Sequence, residues 1–408
     1  MSQMRGTTAE KAAVQIFSVE RTHKPPESEN APFERRFRNQ ERNPFLGWNS
    51  EPHSIINYQI VNAVLDGKFR GLFNSDGFIK GTGYLIPDDF MATLDIDETR
   101  LVRASDDGTV IVGCNVAYAN YFHWITQALP AIDSSLRRLA QARNVCLALP
   151  VLNSWQEESL HLLGYSGIKR FVVDNPARQY AFNSVEYSEI LNGGAAFCLS
   201  ESTYQTYSRL RQAVERPSAD RKKIYVARTD APTRRMRNEG AVIEEVRKRG
   251  YEVVVPGTLT FTEQIRLFRG ANLVVAPHGA GLTNIVFCEP GTLVYELLPS
   301  HYTNACFCNL AHICKLGYWS DAFESQGDGL PNLREWQSDT ALVAERLDEI
   351  NTIYTELQEE AESKTIPAMD FLRGSPGRVS GLGVPAQPTG PQVRPNISRQ
   401  LWRMLFRR

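Results

Sequence analysis

The chain has no C-x-x-C pair among its seven cysteines. That spacing would mark a zinc ribbon or a thioredoxin-type redox centre, and an odd count at ordinary density argues against a disulfide framework. Reduced, mostly buried thiols are expected instead. No run reaches the ~18–20 consecutive apolar residues of a transmembrane helix. The opening residues, MSQMRGTTAEKAAVQIFSVERTHKPPESE, lack the apolar core of a signal peptide. A cytoplasmic location is the expectation. Charge of one sign is also missing, with Lys+Arg 45 against Asp+Glu 46 and a formal net charge of -1. A chain-wide basic field for nucleic acid is thereby excluded, and no known binding motif suggests a nucleic-acid partner. G-x-G-x-x-G, P-loop and G-x-S-x-G motifs are absent. So is any internal repeat of about 20–50 residues, which removes solenoids.

What remains is an ordinary globular composition. Hydrophobic residues at 42% and charged residues at 22% exclude a mainly disordered, collagen-like or coiled-coil chain. Residues 1–54 form a polar, arginine-rich N-terminal arm. From 55 to 218 the chain alternates β-rich runs (INYQIVNAVLD, MATLDI, GTVIVGCNV, NVCLALPVL) with helical stretches, as one lobe. Residues 219–320 are the clearest part. KIYVAR, YEVVVP, NLVVAP and TLVYELLP are strands separated by helical patterns, which is the signature of a parallel sheet in a Rossmann-like lobe. Residues 321–370 carry a helix, and 371–408 a Gly/Pro-rich tether with a basic amphipathic tail. Within that tail Ile397, Leu401 and Leu405 recur at i, i+4, i+8 opposite Arg399, Arg403 and Arg407. A peripheral contact of residues 394–408 with an anionic membrane is expected, at the inner face; a short helix docking back onto the N-terminal lobe or onto a partner subunit is the alternative.

Four constellations could carry chemistry. The first is HGAGLTN (His278, Gly279, Ala280, Gly281, Leu282, Thr283, Asn284), directly after a strand. Ligands of open α/β sheets bind beyond the carboxyl ends of strands, and glycines let the backbone approach a diphosphate closely. A plain tight turn with a core-satisfied His278 is the competing reading. The second is Arg228, Arg234, Arg235, Arg237, Asn238 and Glu239, at the end of the lobe's first strand, where guanidinium groups would take phosphate oxygens. A solvated loop would look the same. The third is Glu296, either a ribose ligand or a surface carboxylate. The fourth is NYFHW (Asn120 to Trp124), where His123 sits among aromatics as a potential proton acceptor, or as part of a packing unit.

Metal chemistry is not favoured. Cys306, Cys308, His312 and Cys314 share one helix without zinc spacing and are expected to be helix core. The acidic pairs Asp88–Asp89 and Asp106–Asp107 do not make D-x-D. No metal site and no resident cofactor are expected.

The residues NYFHWITQALPAI (120–132), Arg228, Arg237–Asn238–Glu239, LTFTEQIRLFRGANLVVAPHGAGLTNIVF (259–287) and LVYELLP together resemble glycosyltransferase family 61, over roughly residues 110 to 317. The resemblance implies an α/β fold of GT-B type, two Rossmann-like lobes with a cleft between them. It places a nucleotide-diphosphate sugar, as co-substrate, in the 219–320 lobe and the acceptor mainly in the 55–218 lobe, near Asn120, Tyr121 and Trp124. It also implies inverting, metal-independent transfer, with Arg228, Arg234, Arg237, Asn238, Glu239, the 278–284 loop and Glu296 on the donor side. Deprotonation of the acceptor falls to His123, with Asp133 and His278 as the other candidates. Among family members the chain looks most like bacterial ones of capsular or other surface polysaccharide synthesis, whose glycan acceptor can be lipid-linked. Two rivals stay open: a non-catalytic nucleotide-sugar-binding or scaffold protein, and a polysaccharide pyruvyl transferase.

Overall fold

The computed structural model describes residues 7–21, 31–48, 54–104, 108–142, 144–193, 200–217, 222–325, 330–331 and 333–363. Asp106–Asp107, Cys198, the tether and the 394–408 tail lie outside the described residues. The chain divides into one compact unit, residues 1–347, and a second, residues 348–408. No helix among the described residues is long and apolar enough to cross a membrane.

In the first unit the architecture is α/β with two sheets. The first sheet takes β1 (Thr7–Thr8), β2 (Ala13–Arg21), β3 (Ser54–Asp66), β4 (Leu72–Asn74), β5 (Gly77–Lys80), β6 (Leu101–Arg103), β7 (Thr109–Val112), β8 (Val145–Leu149), β9 (Lys169–Val172) and β10 (Gln179–Ser188). Its order is β1-β5-β4-β3-β10-β7-β8-β9, with β2 on β3 and β6 on β10. The run from β10 through β7 and β8 to β9 is parallel, as are the pairs β6–β10 and β1–β5, while β10–β3, β2–β3 and β3–β4–β5 are antiparallel. This sheet is therefore mixed rather than plainly Rossmann-like. MATLDI is not a strand: Asp88–Met91 is helical and the chain then turns.

The second sheet is wholly parallel, made of β11 (Lys222–Val226), β12 (Glu252–Val254), β13 (Ala271–Pro277), β14 (Leu293–Pro299) and β15 (Gly317–Phe323). The order β12-β11-β13-β14-β15 reverses direction between β11 and β13. In such sheets that reversal opens the crevice where ligands sit. The strands read as continuous apolar runs because both faces are covered: every residue of β14 is buried. β15 is the strand the sequence does not show, and a boundary at residue 320 falls inside it.

The described part of the N-terminal arm is built into this unit. β2 pairs with β3, and residues 31–48 cross to the second sheet. Phe37 stacks on Trp319 of β15 with ring centroids 3.9 Å apart. Asn43 accepts a hydrogen bond from Ser320, and the Trp48 indole donates to Asn309. An edge strand exposes unpaired backbone, and here a segment from the other end of the chain covers it.

Candidate functional site

Two remote motifs meet at the carboxyl ends of β11, β13 and β14. The helix Tyr121–His123 begins at Asn120, whose side chain caps it by accepting from the Phe122 N–H at 2.9 Å. That turn carries two rings, Tyr121 and Phe122, to residues of the second sheet's side. Tyr121 donates to Asn284 Oδ1 at 2.5 Å, which ties NYFHW to HGAGLTN directly. Phe122 lies edge-on to His123 and to Phe307, and Phe307 in turn to His278, with centroid distances of 5.2, 5.7 and 5.1 Å. His123 and His278 thus flank one small aromatic group.

His278 is buried, and its Nδ1 lies 2.5 Å from Glu296 Oε1. Tyr318 of β15 donates to the other carboxylate oxygen. Glu296 is fully buried with both oxygens engaged, so it is not the surface carboxylate considered above. In place of a ribose contact it orients a histidine. His278 Nε2 is the ring nitrogen left to face outward from that pair.

The arginine cluster divides. Arg228 donates from its guanidinium to the His278 carbonyl and to Thr233 O (3.2 Å), and its backbone N–H donates to Glu239 Oε1 at 2.7 Å. Burial, reinforced by the charge of Arg234, holds its pKa down to about 10. It remains a cation at neutral pH. A Cβ on Gly279 would stand 2.5 Å from this guanidinium, so the glycine admits Arg228. Arg234 lies over the Tyr302 ring at 4.6 Å, and Tyr302 is edge-on to His278 at 5.4 Å. The Arg234 backbone has φ 50, a left-handed conformation that a bulky residue keeps only when its surroundings enforce it. Arg237, by contrast, points outward to an exposed pair with Glu335. Asn238 clamps Ser338 and Thr340. Glu239 is buried, holding the Arg228 backbone and the Tyr225 hydroxyl, and burial raises its pKa. Arg235 is exposed.

HGAGLTN itself runs into a 3-10 helix, Ala280–Phe287, rather than an α-helix. Leu282, Thr283 and Asn284 are buried in it, and Asn284 Nδ2 donates to Gln264 Oε1 at 2.9 Å. Only Ala280 and Gly281 at its start are partly open.

On the first-sheet side, Trp124 is fully buried, its indole N–H on Ser159, and offers no face to a ligand. Asp133 is elsewhere. Its carboxylate is fully buried among Arg137, Arg209, Tyr165 and Thr206, none of them in the group around His278. Asp133→Asn is expected to lower unfolding stability in urea by about 2 kcal/mol. That is less than the roughly 3–5 kcal/mol for breaking a fully buried pair. The discount reflects the exposure of Arg137 and Arg209, 30% and 36%. Turnover per folded molecule should hold, and its loss would make Asp133 a participant.

Sequence reasoning missed Tyr84, Gln127, His301, Tyr302 and Arg334. Tyr84 sits edge-on to His123 at 5.2 Å. His301 lies where burial and the charges of Arg334 and Arg234 push its pKa down, so this rim of the site is cationic. The spacing from His123 to Gln127, one helical turn, was the available signal for one of them.

The sequence also holds one D-x-D, Asp95–Ile96–Asp97. Asp97 there caps a 3-10 turn by accepting from the Thr99 N–H and hydroxyl. Among the described residues no group of three or more His, Cys, Asp or Glu could hold a metal ion. Cys306, Cys308 and Cys314 are buried, as expected of helix core.

Residues 121–295 match the family model described as Glycosyltransferase 61. The chain is also similar to the Beta-1,2-xylosyltransferase RCN11 of Oryza sativa subsp. japonica, at 37% identity over 60 residues. That match spans 15% of this chain and 11% of the rice protein. Both support a glycosyltransferase. Within that class they support the glycosyltransferase 61 family, whose matched region holds His123, Arg228 and His278.

Proposed function

We propose that the protein transfers a sugar from a nucleotide-diphosphate sugar to a hydroxyl of a glycan acceptor, with inversion and without a metal ion. The observation that carries this reading is the meeting of His123 with His278, Arg228 and Arg234 around Tyr302, Phe122 and Phe307. The two sheets then act as GT-B lobes, with the donor at the β11/β13 crevice and the acceptor approaching from the first sheet. The bacterial surface polysaccharides named by the family resemblance are the acceptor class we favour, lipid-linked ones included.

The chemistry needs two things. The acceptor oxygen attacks the anomeric carbon as its proton passes to a base, and we assign that base to His123. The bond from that carbon to the diphosphate oxygen breaks on the opposite face, which inverts the centre. Negative charge then grows on the leaving diphosphate. Arg228 and Arg234 are positioned cations that would stabilise it without reorganising. Inversion follows from a single displacement, since both oxygens of Glu296, the carboxylate beside His278, are engaged by His278 and Tyr318 and it is not offered as a nucleophile.

The test is a donor screen with purified protein, UDP-xylose and other nucleotide sugars beside phosphoenolpyruvate, read for transfer and for anomeric configuration. Transfer from a sugar nucleotide is expected, unchanged in EDTA. Loss on chelation with recovery in manganese or magnesium would refute the metal-free part. Pyruvyl transfer, or saturable donor binding with no turnover, would replace the reading with one of its rivals.

A further inference from the structure

His123 is held by a chain of hydrogen bonds in which the fixed amide oxygen of Gln127 selects one arrangement of its protons. The chain starts at the backbone. The Ala117 N–H donates to Asn115 Oδ1 at 3.0 Å, which fixes which end of that amide is oxygen. Asn115 Nδ2 then donates to the Leu191 carbonyl at 3.0 Å and to Gln127 Oε1 at 2.7 Å. Both Asn115 contacts agree with that assignment, and they fix Gln127 in turn. Gln127 Oε1 lies 3.1 Å from His123 Nδ1. An amide oxygen only accepts. Were Nδ1 bare, two lone pairs would face each other at that distance.

The surroundings are built to keep this arrangement. Residues Trp124–Ala128 form a π turn, closed by the Leu129 N–H on the Trp124 carbonyl, and every residue of it is buried. Such turns are rare and concentrate at functional sites. Gly193, at φ 77, packs against the group from the other side. A Cβ there would lie 2.2 Å from the Tyr84 ring and 2.9 Å from Gln127 Nε2. Asn115 and Gln127 are themselves buried, so water does not compete for these bonds.

We propose that Gln127, fixed by Asn115, is a positioning residue that holds His123 as the Nδ1–H tautomer, so that Nε2 is the atom that accepts the acceptor's proton. The catalytic half of this rests on the glycosyltransferase reading above; the tautomer does not. The neighbouring titratable groups do not overturn it. Tyr84 OH lies 3.3 Å from Nδ1, farther than Gln127 Oε1, and burial keeps that phenol protonated well past neutrality, with Tyr302 and Cys306 beyond it. Its hydroxyl can accept as well as donate, so it serves either tautomer and the amide oxygen alone discriminates between them. The imidazole's own pKa is lowered to about 4 by burial, against a smaller upward pull from Gln127, so the ring is neutral at working pH.

The experiment uses the full chain labelled with 15N-histidine. Two-bond proton–nitrogen correlations report the tautomer of each ring, and His123→Ala identifies the His123 signals. The expected result is an Nδ1–H pattern in the wild-type protein, shifting toward Nε2–H in Gln127→Leu. In transfer assays Gln127→Leu should lower kcat by at least about tenfold with the donor KM unchanged. Gln127→Glu, which adds an anion beside Nδ1, should move the acid limb of the rate profile to higher pH. The wild-type spectrum needs no buried variant to fold, and an Nε2–H pattern in it overturns the proposal outright. A Gln127→Leu protein with the wild-type tautomer and kcat also overturns it. An Nδ1–H pattern in a protein that transfers nothing from any donor defeats the catalytic half, and with it the functional reading rather than the tautomer.

Discussion

His123→Ala is expected to lower turnover by about 10²–10⁴-fold, the usual contribution of a positioned general base. Donor affinity should not move, because every donor-side group described above belongs to residues 228 to 334. Calorimetry with the nucleotide diphosphate beside a turnover assay separates the two effects. The pH dependence is a sharper signature. Burial holds the His123 pKa at about 4, so the base is free at all higher pH and is lost as pH falls through that value. The acid limb of kcat/KM should therefore lie near pH 4, well below the ~6.5 of an ordinary histidine. The same depression means that the unfolded chain binds a proton more readily than the folded one between those values. Stability should accordingly fall as pH drops from about 6.5 toward 4. A variant that binds donor and turns over within a factor of two of wild type would transfer the base role to His278.

Arg228→Ala should weaken nucleotide-diphosphate binding by roughly 1.5–3 kcal/mol, the value of hydrogen bonds made by a charged group, or about 10- to 150-fold. Arg228 is the guanidinium that Gly279 admits against the HGAG backbone, and it also donates to the His278 carbonyl. Removing it loosens the loop as well as deleting a charge. Arg228→Lys tells these apart. A lysine restores the cation but cannot bridge two carbonyls and a ligand in one plane, so only part of the affinity should return. Arg237→Ala is the control, since its side chain pairs with Glu335 on the surface. Equal losses for Arg228→Ala and Arg237→Ala would mean that the site lies elsewhere.

The parts of the fold that were legible are those fixed by local pattern. β11, β12, β13 and β14 announce themselves as apolar, β-branched runs between helical stretches, because a buried parallel strand needs no alternation. β15, with the sequence GYWSDAF, carries a serine and an aspartate inside the core and so resembles a loop. Its Asp321 is buried because Arg346 and Tyr295 reach it, a partnership no spacing reveals. β10 is missed for the same reason, with Glu186 buried against Arg138. At the site the motifs were visible, but their meeting was not. Tyr121 and Asn284 are 163 residues apart, and nothing local records that bond. The arginine cluster shows the opposite error: proximity in sequence grouped Arg237 with Arg228, although the backbone between them turns one inward and the other out.

The crossing of residues 31–48 onto β15 also sets the order in which this chain can be completed. Asn43 and Ser320, which share a hydrogen bond, are 277 residues apart. At about 5–20 residues per second of synthesis, Phe33 and Phe37 wait roughly 15–60 s on the ribosome before their partner strand exists. Until then two aromatic side chains that end up buried face solvent. The second sheet cannot be finished early either, because its outer strand stays bare until the N-terminal segment returns. A piece cut to hold that sheet alone would present an open β-edge for other chains to join. The nascent protein therefore closes by a long-range step, the slow kind of contact, and its yield should depend on chaperoning more than the stability of its finished core would suggest.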